Sequence, residues 1–277
     1  MKKLFSILFF LALAAHLSAQ QGRPSLFVLM QETNRMMDIY SCFKPGGVTF
    51  HCFREMELKP YEISRIQTDG YWGRYLSHEK DSIAVFAAIE LFQERISDNL
   101  HKIISHPDFS KRMNKRQTLS DLKGINAVVS EDDARLYNFT FDSKSGSAYQ
   151  SQISVMHYLR PAQSVSGFTS WSSNNTRMEK IDPKAYRIFS TDGYTEIYLL
   201  DKGKAVYLLI GQAITGNNSF ECYADLVSFK DNTFVKNFEH RIITNKPDNC
   251  VVFDKKNNIL KMRESTFAFD GTTFVKK

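Results

Sequence analysis

The side chains of this 277-residue chain that could do chemistry are four cysteines, seven histidines, scattered carboxylates, one cluster of aromatic rings and a separate tryptophan. A thiol–imidazole pair comes first, because His51 directly precedes Cys52. Neighbours on a strand point to opposite faces, so those two cannot meet. Nucleophilic catalysis would need a histidine beside Cys42, or Cys52 beside the distant His157 or His240. Exported thiols tend to oxidise, which argues against that use. His157 lies in a strand-like run and is expected to be structural; His78, His101 and His106 accompany a helix as surface residues. A glycosidase would need two carboxylates across a cleft. Asp142, Glu196, Glu221 and Asp225 are the candidates. Glu221 and Asp225 share parity on one strand-like run, and the favoured reading of that pair is a solvated outer face of an antiparallel sheet.

The aromatic residues offer binding instead of catalysis. Tyr71, Trp72 and Tyr75 gather beside Gly70 and Gly73, and Trp171 stands among Ser and Asn. Exposed rings in loops stack on sugar rings or anchor a protein partner. The favoured reading is that these rings cap the apolar core, with Trp171 the better candidate for exposure. The chain has no GxSxG elbow, Walker loop, HExxH or Rossmann glycine pattern. With no CxxC or HxxxH spacing, no metal is expected, and no cofactor is implied.

The ends and the charge set the compartment. Lys2 and Lys3 precede an apolar run from Leu4 to Ala15, and Ala19 supplies the small residue of a cleavage site before Gln20. Residues 1–19 are thus expected to be a cleavable signal peptide. The apolar run is too short to span a hydrocarbon core of about 30 Å. The protein is expected in the periplasm or medium, with no transmembrane segment in the mature chain. Removing Lys2 and Lys3 lowers the formal charge from +6 to +4. That mild excess does not indicate nucleic-acid binding, and Lys111, Arg112, Lys115 and Arg116 read as a solvated face. An even cysteine count in an exported chain permits disulfides Cys222–Cys250 and Cys42–Cys52, the alternative being four buried free thiols.

The elements that must position these residues follow from periodicity. Residues 25–40 can be read as the start of a strand or as a short helix. DIYSCF, KPGG and VTFHCF predict a hairpin over Asp38 to Phe53. Val85, Phe86, Ile89, Phe92, Ile96, Leu100, Ile103 and Ile104 mark one long amphipathic helix over residues 79–104, with Glu79 and Asp81 at its positive end and Pro107 past its close. From about residue 134 the period becomes two, with turn-formers between short runs. The expected fold is α+β: one long helix on a mainly antiparallel sheet, whether meander, sandwich or barrel-like. A single domain over residues 20–277 is expected, its helix-containing part 20–130 and its β-rich part 131–277.

RLYNFTFDSKSGSAYQSQISVMHYL, a Tyr-rich hairpin and the closing FAFDGTTFVK resemble uncharacterised exported proteins of Bacteroidetes-type bacteria. Phe141-Asp142 with Gly146-Ser147 is the most specific part of the likeness, which covers about the C-terminal half. It implies an exported, β-rich protein and carries no activity. The expected function is an exported, non-catalytic module binding a glycan or an envelope protein. The alternative is a periplasmic or secreted hydrolase with an unrecognised carboxylate or Cys–His site.

Overall fold

A computed structural model describes residues 24–46, 49–112, 115–144, 152–158, 168–169, 193–216, 219–230, 233–246 and 248–277. Residues 1–23 (with Ala19 and Gln20), the Gly146-Ser147 pair and Trp171 lie outside the described residues.

Ser25 caps helix α1 (Leu26–Cys42), its hydroxyl accepting the Val28 N–H at 3.3 Å. Leu26, Leu29, Thr33, Met36, Met37 and Tyr40 form its buried stripe. The hairpin expected over Asp38 to Phe53 is therefore corrected. Met36, Met37 and Tyr40 continue the helical stripe, and burial of that stripe outweighs the β propensity of Ile39, Tyr40 and Phe43. Only Phe50–Cys52 (β1) extends, and it pairs with Ser82–Ala84 (β2) through Phe50↔Ala84.

Two helices of similar length replace the single long one. Helix α1 has 17 residues, and α3 (Val85–Ile104) has 20. Residues 79–84 are turn and strand, so Glu79 and Asp81 do not meet the helix dipole, and the Asp81 carbonyl accepts the Phe53 N–H at 3.0 Å. Between the two helices lie α2 (Pro60–Thr68) and a 3₁₀ turn, Trp72–Tyr75. Pro107 opens a short α4 (Pro107–Ser110), followed by α5 (Lys115–Ser120). Among the described residues no helix is long and apolar enough to cross a membrane.

The remaining described strands pair antiparallel. β3 (Asn126–Val129), β4 (Leu136–Asp142), β5 (Gln152–Tyr158) and β6 (Phe168–Thr169) form one sheet in chain order. A second meander holds β7 (Tyr194–Asp201), β8 (Val206–Gly216), β9 (Ser219–Lys230) and β10 (Thr233–Thr244). A third holds β11 (Val252–Asp254), β12 (Ile259–Met262), β13 (Ser265–Phe269) and β14 (Phe274–Lys276). The architecture is α+β, and none of the sheets closes into a barrel.

Period-two alternation divides β4, β5, β8 and β9 between two cores each. Tyr137, Phe139, Phe141, Ile153 and Val155 face α1 and α3. Leu136, Met156 and Tyr158 face the second sheet, meeting Tyr194, Ile197, Leu209 and Tyr223. On that sheet's far side, Leu208, Ala224 and Leu226 pack on Leu260, Met262 and Phe267 of the third sheet. The layers therefore run helices, sheet, sheet, sheet. Cys222 is joined to Cys250 by a disulfide that ties β9 to the lead-in of β11.

Candidate functional site

Asp69 builds the aromatic site from the backbone outward. Its Oδ1 accepts the N–H groups of Tyr71 at 2.7 Å and Trp72 at 3.3 Å, turning the chain out of α2 into the 3₁₀ turn. Trp72 is only 6 % exposed and belongs to the helical core, so it is an anchor and not a contact surface. Tyr71 and Tyr75 stand outward from it. The Tyr71 ring lies 5.0 Å from Trp72 and 5.5 Å from Tyr75, and Tyr75 lies 4.6 Å from Phe86, all edge to face. Tyr71 is 42 % exposed and Phe86 49 %. The Arg74 guanidinium sits 5.4 Å from the Tyr71 centroid and 5.9 Å from that of Tyr75. The Tyr71 hydroxyl donates to Glu90 Oε2 at 2.7 Å, and this bond, more than burial, raises its pKa to about 12. The result is a corrugated platform of three rings with a cation above it and a carboxylate at its edge.

Sequence reasoning named Tyr71, Trp72 and Tyr75 but missed Phe86, Arg74 and Glu90. Phe86 was counted in the buried stripe of α3, and it lies outside that stripe. A signal was present: Phe86 and Glu90 are four residues apart, one turn on a single helix face.

The acidic face of α3 continues to Glu94. Partial burial pushes its carboxyl up to about 7, with Glu90, Asp98 and Asp69 adding to the rise and Arg65 opposing it. The sign follows directly. Below the unfolded value of 4.5 the carboxyl is protonated in both states. Between there and about 7 the folded state holds its proton while the unfolded state releases it, so stability falls as pH rises. Glu94→Gln removes that loss. After discounting for solvent screening, it should stabilise the protein by about 1–2 kcal/mol at pH 8 and by nothing at pH 4. Melting curves of both proteins across that range test this, and a pH-independent difference would contradict it.

The carboxylates lead elsewhere than a cleft. Glu221 and Asp225 do share a face of β9, but it is not a solvated outer face: Asp225 is 0 % exposed. Its Oδ2 accepts the Tyr194 hydroxyl at 2.5 Å, and Lys236 Nζ lies 3.4 Å from Oδ1. Glu239 joins Lys236 at 3.0 Å and Arg241 at 2.5 Å, and Arg241 reaches Glu221 at 3.5 Å. Burial raises the Asp225 pKa, with Lys236, the Tyr194 hydrogen bond and Arg241 opposing. Tyr194 is held well above its ordinary value, by burial first and then by Asp225. Asp142 ends β4 as an exposed turn former, accepting the Lys144 N–H at 2.8 Å, and Glu196 accepts the Tyr198 hydroxyl. Asp142 and Glu196 are engaged in separate local contacts, whereas Glu221 and Asp225 belong to one network of ion pairs.

The cysteines and histidines do not assemble a nucleophile. Cys42 ends α1 exposed, its thiol 3.5 Å from the Asp38 carbonyl, and Cys52 ends β1 half-buried; both are free thiols and are not bonded to each other. The helix that replaces the expected hairpin removes the cross-strand geometry that pairing assumed. His51 lies against Phe43 at 4.7 Å, and among the described residues no hydrogen bond joins a thiol to an imidazole. His101 is not a surface residue. It stacks at 5.5 Å on the fully buried His157, and burial lowers the pKa of both. Among the described residues no group of His, Cys, Asp or Glu converges to hold a metal ion. No protein-family model, curated protein or solved structure matches this chain.

Proposed function

We propose that the chain is an exported module that binds a glycan on the platform of Tyr71, Tyr75 and Phe86. The carrying observation is the joint exposure of Tyr71 and Phe86 within one contiguous run of rings, flanked by Arg74 and Glu90. Sugar rings present apolar C–H faces to aromatic rings and hydroxyls to charged groups at the edges. Tyr71 uses one of the roughly four lone-pair sites of Glu90, so the carboxylate retains acceptors for hydroxyl donors. Three rings are also a small surface beside the roughly 800 Å² per partner of a stable protein interface. The leader-like residues 1–19 favour a place outside the cytoplasm, where polysaccharides of the envelope or medium are available.

The test is a glycan array probed with the wild-type protein, Tyr71→Ala and Phe86→Ala. Discrete hits that both variants lose, with melting temperatures kept, are expected. An array without hits, alongside capture of an envelope protein by wild type but not by the variants, would replace the glycan with a protein partner.

A further inference from the structure

A second site lies at the other end of α3, and its case does not depend on the aromatic platform. A groove of about 400 Å³ opens between α1, α3 and the connection from β1 to α2. That volume is within the roughly 300–1,000 Å³ of small-ligand sites. Its floor is apolar, with Met36 and Met56 buried and Ile39 half-buried. Methionine is unbranched and polarizable, so such a floor accommodates side chains of varied shape.

The wall carries equal numbers of both charges, in four ion pairs. Two are tight. Arg35 holds Glu57 through two contacts, one of 2.6 Å, and Arg95 meets Glu62 at 3.1 Å. Glu57 adopts a left-handed backbone, φ 52°, at the turn that presents it to Arg35. The other two are loose: Lys59–Glu32 and Lys102–Asp98 are each 4.0 Å apart and half-exposed. Pairs of that kind hold their partners weakly and exchange them readily.

Beside the loose pair of α3 sits Asn99, only 6 % exposed. Lys102 Nζ lies 3.4 Å from its Oδ1, and an ammonium, which only donates, fixes the oxygen on that side. The Nδ2 donor then remains for the groove, and it makes no hydrogen bond among the described residues. Asn99 lines the groove, so a ligand acceptor can take this donor in place of water.

We infer that this groove binds a short peptide with free termini and an apolar side chain. Its carboxylate takes the Asn99 Nδ2 and Lys102, its ammonium takes Asp98 or Glu32, and its side chain lies on Met36 and Met56. A wall of balanced charge excludes polyanions and polycations as ligands and matches a zwitterion. A peptide also replaces, charge for charge, the loose pairs it opens.

The experiment is calorimetric titration of the protein with Ala-Leu-Ala, its N-acetyl form and its C-terminal amide. The free peptide is expected to bind with a Kd on the order of 0.1 mM, as suits a ligand of its size. Acetylation and amidation should each weaken it about tenfold or more. Asn99→Ala should do the same, and Lys102→Ala, an exposed change that leaves the core untouched, should weaken it several-fold. Equal binding of all three peptides, no binding near 10 mM, or unchanged affinity in Lys102→Ala would each overturn the proposal. None of these readouts involves a glycan, so failure here leaves the platform untouched and the reverse also holds.

Discussion

With Cys222 and Cys250 both replaced by alanine, the protein is expected to lose about 3.5 kcal/mol of unfolding free energy. The cause lies in the unfolded chain. The bridge closes a loop of sequence separation 28, and freeing that loop restores its conformational entropy to the unfolded state. Native packing should change little, because both residues sit in apolar surroundings that alanine tolerates: Cys222 is fully buried and Cys250 nearly so. Urea unfolding of the oxidised, reduced and doubly substituted proteins measures the difference. Reduced and substituted forms should agree, both about 3.5 kcal/mol below the oxidised form. A loss under about 1 kcal/mol would mean that the third sheet is held by its packing on Leu208, Ala224 and Leu226 alone. Alkylation of the denatured, unreduced protein should label two of its four cysteines, Cys42 and Cys52.

Asp225→Ala is expected to cost about 3–5 kcal/mol, the range for breaking a buried ion pair by removing one partner. The aspartate faces Lys236 at 3.4 Å and anchors the Tyr194 hydroxyl at 2.5 Å. Its removal takes the carboxylate away from that buried hydroxyl and leaves Glu239 as the near carboxylate for Lys236. Asp225→Asn keeps an oxygen that can accept from Tyr194 and forfeits only the charge. It should cost about 1–3 kcal/mol, in the range for weakening a charge-assisted hydrogen bond. Chemical denaturation of the two variants separates the cases. Equal and small losses would show that the layer's charges are compensated without Asp225.

The alternation that made the strands legible from residue 134 onward could not show how many faces each would bury. LYNFTFD reads as apolar side chains alternating with polar ones, which suggests a solvated face. The second sheet covers that face, and Asn138 is buried because its partners are too: its Nδ2 donates to Ser154 at 2.8 Å and its Oδ1 accepts the Tyr194 N–H at 3.1 Å. Such pairing across layers leaves no trace in local spacing. The same holds at β9, where parity placed Glu221 and Asp225 together but could not reveal the lysine and arginine of β10 that make burial tolerable. Helix α1 was ambiguous because its buried stripe is interrupted by Thr33, a polar residue whose hydroxyl is satisfied by the Leu29 carbonyl at 2.8 Å. The aromatic cluster was visible as a composition, while its exposure depended on Phe86 turning away from the core, which only packing decides.

Titration of the strongest array hit into the wild-type protein, Tyr71→Ala and Phe86→Ala tests the proposed activity most directly. Loss of one stacking ring is worth about 1–3 kcal/mol by analogy with ring stacking on planar ligands, so each variant should bind about tenfold more weakly or worse, with its melting curve preserved. Wild-type affinity in both variants would contradict a glycan site on this platform.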